Sequence, residues 1–145
     1  MRLLGIDHGD KRIGLAISDE LQSFAHPYRT LQVDSQLLPE IRKIVERERV
    51  GGIVVGLPKN MDGSLGPAAA KAQSFAGRLK RELGSTKILL WDERLTTVEA
   101  QRALRLAGKN ARQSKKMVDQ VAAQILLQSY LDSLQWTRAS EQGER

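Results

Sequence analysis

Three acidic positions have the residue types and the setting for chemistry: Asp7, the adjacent pair Asp92-Glu93, and Asp119. Asp7 ends the apolar run Leu3 to Asp7, and Glu93 follows Ile88 to Trp91. Both therefore fall at the carboxyl ends of predicted strands, the edge where open α/β sheets place their sites. Asp119 lies in a segment that is apolar almost all round, sharing a helical face with Ala122, Ala123 and Leu126. A carboxylate there is costly unless it is paired, bound to a metal, or close to a helix N-terminus. Three carboxylates meeting at one edge are what a Mg²⁺ or Mn²⁺ site requires. Hard cations take oxygen ligands, and two of them about 4 Å apart activate water and stabilise the leaving oxygen in phosphodiester cleavage.

Each acid also has a plainer reading. Asp7 could be a turn aspartate before Gly9, Asp92 and Glu93 could supply charge at the start of the helix capped by Thr96, and Asp119 could pair with an arginine. Strand alternation sends Asp92 and Glu93 to opposite faces, so at most one points into a shared site, and alternation does not say which. Other chemistries are excluded or weak. The chain has no cysteine, which removes thiolate zinc sites, disulfides and cysteine nucleophiles. His8 and His26 fall in no zinc-ligand spacing, and neither a G-x-x-x-x-G-K-[ST] loop nor a G-x-S-x-G elbow occurs. Gly5, Gly9 and Gly14 allow tight turning and close backbone approach around Asp7.

The elements that position these acids follow from periodicity. Leu3 to Asp7 and the alternating Arg12 to Asp19 predict a two-stranded hairpin. A third strand is expected over Tyr28 to Val33, its start blurred by Pro27. Helical spacing runs from Gln36 to Arg49, whose Glu and Arg/Lys mixture reads as an exposed face with local ion pairs. Gly52 to Gly56 reads as a strand buried on both sides. The turn-rich Leu57 to Gly66 follows, then a helix from Pro67 to Leu83, a strand over Lys87 to Trp91, a helix from the capping box at Thr96 to Gly108, and a last helix over Lys116 to Leu134. The order β-β-β-α-β-α-β-α-α implies an α/β fold: one mixed five-stranded sheet with helices on both faces. At 145 residues this is one domain, residues 1–136, with a flexible tail over 137–145.

Charge adds a partner. The chain holds 23 Lys+Arg against 17 Asp+Glu, a net +6. Arg102, Arg105, Lys109, Arg112, Lys115 and Lys116 lie in one stretch without an acid, so the basic surface is local and predicts contact with phosphates. Aromatics are only 4%, too few for extended base-stacking platforms. No export signal opens the chain, and its apolar stretches fall far short of the roughly 20 residues a membrane span needs. A cytoplasmic location and no membrane partner are expected.

These residues carry a resemblance. Gly5-Ile6-Asp7-His8-Gly9-Asp10-Lys11-Arg12-Ile13-Gly14 with Ala16-Ile17-Ser18-Asp19 resembles the first motif of the YqgF/RuvX family. Gly56-Leu57-Pro58-Lys59-Asn60-Met61-Asp62-Gly63-Ser64 resembles its second, Asp92-Glu93-Arg94-Leu95-Thr96-Thr97 its third, and Asp119-Gln120-Val121-Ala122-Ala123 with Ile125 to Leu131 its fourth. The resemblance spans about Met1 to Leu134. It implies a ribonuclease H-like fold related to the Holliday-junction resolvases, and a nuclease that processes the 5′ end of pre-16S rRNA in ribosome biogenesis. Carried onto this chain, it makes Asp7, Glu93 and Asp119 the catalytic acids and the ligands of Mg²⁺ or Mn²⁺. The resolvases themselves place their second acid after the preceding strand, near Pro58, where this sequence has none.

The mechanism so implied has metal-bound water attacking a phosphodiester in line. Arg94, Lys59 and Asn60, flanked by Lys11 and Arg12, would position the substrate backbone, and Lys109, Arg112, Lys115 and Lys116 would hold neighbouring phosphates. Pre-rRNA is the favoured nucleic acid, branched DNA is possible, and a ribosomal precursor particle is a possible partner. Three alternatives stand beside it: a resolvase-like DNA endonuclease, a non-catalytic RNA-binding factor in ribosome assembly or transcription, and an actin-like or hexokinase-like ATPase. The last is suggested by Gly5-Ile6-Asp7-His8-Gly9, but such ATPases need two domains of this kind and the chain supplies one.

Overall fold

A computed structural model of the chain describes residues 1–95, Arg102, Leu106 and 115–143. Strand β1 (Arg2–His8) and β2 (Arg12–Ser18) form an antiparallel hairpin in which Asp7 lies opposite Gly14. The hairpin turn is closed by the Gly9 amide donating to the Arg12 carbonyl at 3.0 Å. Strand β3 (Ala25–Gln32) pairs with β2, helix α1 spans Leu37–Glu48, β4 Val50–Leu57, α2 Pro67–Glu82 and β5 Lys87–Asp92. A single 3₁₀ turn (Glu93–Leu95) leaves β5, and helix α3 covers Lys115–Gly143. The sheet order is β3-β2-β1-β4-β5, with β4 parallel to both β1 and β5. The expected mixed five-stranded sheet is thus present. The helix expected from Thr96 to Gly108 lies outside the described residues.

Alternation divides the sheet into two faces. Leu4, Ile6, Ile13, Leu15, Ile53 and Val55 pack against α1 and α2 through Ile41, Ile44, Phe75 and Leu79. Ala16, Val54, Leu89 and Trp91 pack on the other face against Ala123, Leu127 and Leu131 of α3. Helices therefore cover both faces. Leu127 and Leu131 are fully buried, and each contributes roughly 1.5–3 kcal/mol by leaving water. The outer side of α1 carries the expected local ion pairs, such as Lys43 with Glu40 at 3.5 Å, and a longer-range one between Arg42 and Glu82 of α2 at 2.8 Å.

What sets α3 close to the sheet is small residues beneath it. A Cβ on Gly14 would collide with the Asp119 carbonyl, and one on Gly5 would lie 2.8 Å from the Leu127 Cβ. A second device fixes α3 along β3: Gln120, Gln124 and Gln128, one turn apart, reach Thr30 Oγ1, the Ala25 carbonyl and the Ser23 carbonyl at 3.2, 3.1 and 3.0 Å. The Ala25 amide in turn donates to Gln128 Oε1 at 2.8 Å.

Two boundaries differ from expectation. Strand β3 starts at Ala25 and runs through Pro27, where the register shifts between Leu15 and Ala16 of its partner. A proline is tolerated there because β3 is an edge strand and needs ladder bonds on one side only. The final helix continues past Leu134 through the segment expected to be a flexible tail, as far as Gly143. Residues 135–141 are exposed, and Thr137 Oγ1 donates back to the Ser133 carbonyl at 3.0 Å. A polar composition there marks an uncovered helix rather than the end of one. Among the described residues no helix is long and apolar enough to cross a membrane.

Candidate active site

Asp7 is the penultimate residue of β1 and points to the α3 face, as its cross-strand partner Gly14 does. On β5, Leu89 and Trp91 share that face, so the next odd position, Glu93, continues it while Asp92 falls on the other side. The structure accordingly brings Glu93 into hydrogen-bond contact with Asp7. Room for the Glu93 carboxylate exists because Gly56 of β4 has no side chain. A Cβ there would strike Glu93 Oε1 and come within 3.1 Å of Leu126 Cδ2. Asp119, one turn into α3, completes the group, close enough for its charge to act on Asp7.

Electrostatics follow from burial in a small space. The Asp7 carboxyl is pushed up to about 7, first by burial, then by the charges of Glu93 and Asp119 and by its hydrogen bond with Glu93. Burial and the charge of Asp92 raise Glu93 as well, while its bond to Asp7 pulls the other way. Of the two, Asp7 is the carboxyl more readily protonated, because its hydrogen bond with Glu93 raises Asp7 and lowers Glu93. Asp119 instead accepts from Arg12 Nε at 2.9 Å, in a pair whose side chains are only 30% and 24% exposed. Among the described residues no three acidic or histidine side chains stand close enough together to cage a metal ion in this arrangement. The donor set nevertheless fits a hard divalent cation: every candidate ligand is a carboxylate oxygen, and the electrostatic strain on Asp7 is of the kind a cation relieves.

Asp92 has a different partner. Its carboxylate takes the Arg94 guanidinium in a fork, with Nη2 to Oδ2 at 2.8 Å and Nε to Oδ2 at 3.1 Å, and it also accepts from the Arg94 amide at 2.9 Å. Arg94 holds the Asp92 carboxyl below the usual carboxylate range. The other arm of Arg94 reaches the Met61 carbonyl at 3.4 Å and so touches the loop that follows β4. That loop braces itself. Asn60 Nδ2 donates to Ser64 Oγ at 2.9 Å, Ser64 Oγ to Asp62 Oδ1 at 2.6 Å, and the Gly63 amide, at φ +88°, to the Asn60 carbonyl at 2.9 Å.

Of the expected substrate-binding residues, Lys11, Lys59 and Arg94 stand at the carboxyl edge of the sheet, the first and last of them exposed. The side chain of Asn60 is engaged within its loop, and that of Arg12 is engaged with Asp119. Lys109 and Arg112 lie outside the described residues, while Lys115 and Lys116 form the start of α3, one turn ahead of Asp119. His8 turns to the opposite face, where its ring packs on Phe75 at 4.8 Å and burial lowers its basicity. Sequence reasoning gives no sign of the Asp92–Arg94 fork, nor of the glutamine ladder on α3, although the four-residue spacing of Gln120, Gln124 and Gln128 is the available clue.

The RuvX family model, described as Holliday junction resolvase, matches residues 1–133. The chain belongs to the RuvX family. A relative from Clostridium botulinum (strain Hall), named "Putative pre-16S rRNA nuclease", is 48% identical over 136 residues, covering 92% of this chain and 98% of that protein. A Geobacillus kaustophilus protein of the same name is 44% identical over 137 residues, covering 92% and 99%. Among solved structures, T. thermophilus RuvC in complex with a Holliday junction substrate matches with a TM-score of 0.58 at 17% identity, over 92% of this chain and 96% of that one. The fowlpox virus Holliday junction resolvase matches with a TM-score of 0.56 at 14% identity, over 92% and 99%. These likenesses make the RuvX fold of this chain the ribonuclease H-like fold of the resolvases. In RuvX terms, all four motif regions fall within the matched span.

Proposed function

We propose that this protein is a metal-dependent nuclease that hydrolyses phosphodiester bonds at the 5′ end of pre-16S rRNA. The observation that carries the reading is the meeting of Asp7, Glu93 and the charge of Asp119 at the carboxyl edge of the sheet, beside the self-braced loop after β4. The RNA assignment rests on the name given to relatives that are 44–48% identical over nearly their whole length. Asp7, Glu93 and Asp119 would hold Mg²⁺ or Mn²⁺, which when bound supplies a nucleophilic water and neutralises charge on the leaving oxygen.

The chain's own residues have definite tasks. For both carboxylates to serve as ligands, Asp7 would release its proton to solvent. Lys11, Lys59 and Arg94 hold substrate phosphates at the rim, and Asp92 orients Arg94 for this by taking its fork. Asn60 acts on the substrate through the shape of its loop. The basic stretch from Arg102 to Lys116 leads the RNA backbone toward the acids. Such a substrate places the protein in the cytoplasm, with a ribosomal precursor particle as its partner.

The test incubates the purified protein with pre-16S 5′-leader RNA and, separately, a four-way DNA junction, each with Mg²⁺ or Mn²⁺. Leader RNA should be cut, and the cut should disappear with chelator or with Asp7→Asn. Cleavage of neither substrate, or cleavage that survives Asp7→Asn, would sink the enzyme reading and favour an RNA-binding factor. Cleavage of the junction alone would move the assignment to a DNA endonuclease.

A further inference from the structure

Arg12 stands in an unusual place. It opens β2 two residues before Gly14 and so projects to the same sheet face, the one covered by α3. Because the α3 backbone rests on Gly14 at Asp119, the root of the Asp119 side chain is fixed over the hairpin. Its carboxylate pairs with the Arg12 guanidinium 2.9 Å away and lies close enough to Asp7 for its charge to raise that carboxyl.

We propose that Arg12 is an internal counter-charge that holds Asp119 in the metal-free protein, is displaced when a divalent cation binds, and then turns to a substrate phosphate. The inference rests on the metal-dependent reading above and deepens it. Two cations drawn to one carboxylate repel each other, so the ion enters Asp119 more readily once the guanidinium has left. A released guanidinium at the rim of a nuclease site has a natural partner in phosphate, whose oxygens match its planar fork. Metal and RNA then favour each other through a single side chain, without any movement of the backbone.

Two measurements test this on the full chain. The first follows Mn²⁺ binding to the free protein by the loss of the aquo-ion signal in electron paramagnetic resonance. Arg12→Gln should bind Mn²⁺ about fivefold more tightly than the parent, at the lower end of ordinary site-to-site coupling. Lys71→Gln removes an equal charge on α2, across the sheet, where Lys71 pairs with Asp10 at 2.8 Å, and should leave the affinity unchanged. Equal Mn²⁺ affinity in Arg12→Gln and the parent, or equal tightening by Lys71→Gln, overturns the proposal while leaving the metal site intact. No Mn²⁺ binding by any of the proteins overturns the metal reading itself, and this inference with it. Should Arg12→Gln fail to fold, Arg12→Lys, which loses the Nε–H, should shift the affinity in the same direction by a smaller factor.

The second measurement is single-stranded RNA binding in chelator, where no cleavage occurs. Asp119→Asn frees Arg12 and should tighten RNA binding about fivefold. Combining it with Arg12→Gln should abolish that gain. A gain that persists in the double variant belongs to the lost negative charge alone and overturns the phosphate half of the proposal.

Discussion

Asp92 and Glu93 are consecutive residues with opposite allegiances: Asp92 takes the Arg94 guanidinium at 2.8 Å, and Glu93 meets Asp7. The difference comes from where β5 ends: Asp92 closes the strand, and Glu93, first in the 3₁₀ turn, lies over Gly56 on the α3 face beside Leu126. The two acids should therefore separate in mutagenesis. Glu93→Gln should lower RNA cleavage by about 10²–10³-fold, the usual scale for removing a group that stabilises charge in the transition state. Asp92→Asn should cost about 10-fold or somewhat more, through misplacement of Arg94, with substrate affinity falling more than turnover. Steady-state kinetics on leader RNA distinguish them, and equal losses in turnover would show that Asp92 shares the chemistry.

The strained carboxyl of Asp7 gives a pH dependence with a definite sign. In the metal-free protein its pKa is raised from 3.8 to about 7, so between these values the folded state holds a proton that the unfolded chain releases. Stability therefore falls as pH rises from about 4 to about 7 and levels off above. Asp7→Asn removes the slope. It should be about 4 kcal/mol more stable than the parent at pH 8 and no more stable near pH 3, as read by denaturant unfolding in chelator. A variant no more stable at pH 8 would show that Asp7 ionises without penalty.

The same proton predicts how metal acts on stability. On the proposed metal-dependent reading a divalent ion at Asp7 replaces it, so added Mg²⁺ should raise the melting temperature more at pH 8 than at pH 6. Thermal melts at the two pH values decide the matter, and an equal rise at both would mean that the ion binds without taking Asp7.

Much of this arrangement is legible in the sequence because it is local. Asp7 ends a short apolar strand, Gly52 to Gly56 reads as a doubly buried strand, and Pro67 and Gly84 bracket α2; each signal lies within a few residues of what it specifies. The Arg12–Asp119 pair joins residues 107 apart, and no spacing rule reaches across that separation. Sequence alone leaves the choice between Asp92 and Glu93 open for the same reason, since it depends on which face α3 covers. Pro27 obscures the start of β3 because an edge strand obeys a looser rule than a central one. The end of α3 is hidden because apolar periodicity marks only the buried part of a helix, and residues 135–141 are exposed.

Glycines under the acids offer a test that separates geometry from charge. Gly56→Ala places a methyl group against Glu93 Oε1 and Leu126 Cδ2, both side-chain atoms that can move aside. It should cost about 1–3 kcal/mol of stability and displace the carboxylate from Asp7, so activity should fall further than stability alone explains. Gly14→Ala meets backbone at Asp119 and leaves no such escape. Helix α3 has to lift, and the expected loss is at the upper end of that range or beyond it, seen in denaturant midpoint and in activity together. If Gly14→Ala melts with the parent, α3 does not rest on the hairpin at Asp119.

The basic stretch is tested by salt. Neutralising Lys109, Arg112, Lys115 and Lys116 together should weaken binding to single-stranded leader RNA in chelator. It should also reduce the slope of log affinity against log salt by about 0.7 for each RNA phosphate that these side chains neutralise in the parent. Arg42→Gln on α1, where Arg42 already pairs with Glu82 at 2.8 Å, serves as the control and should leave the slope unchanged. An unaltered slope in the fourfold variant would make the stretch a solvated face, and the path of the RNA to Asp7 and Glu93 would then have to run over Lys11, Lys59 and Arg94 alone.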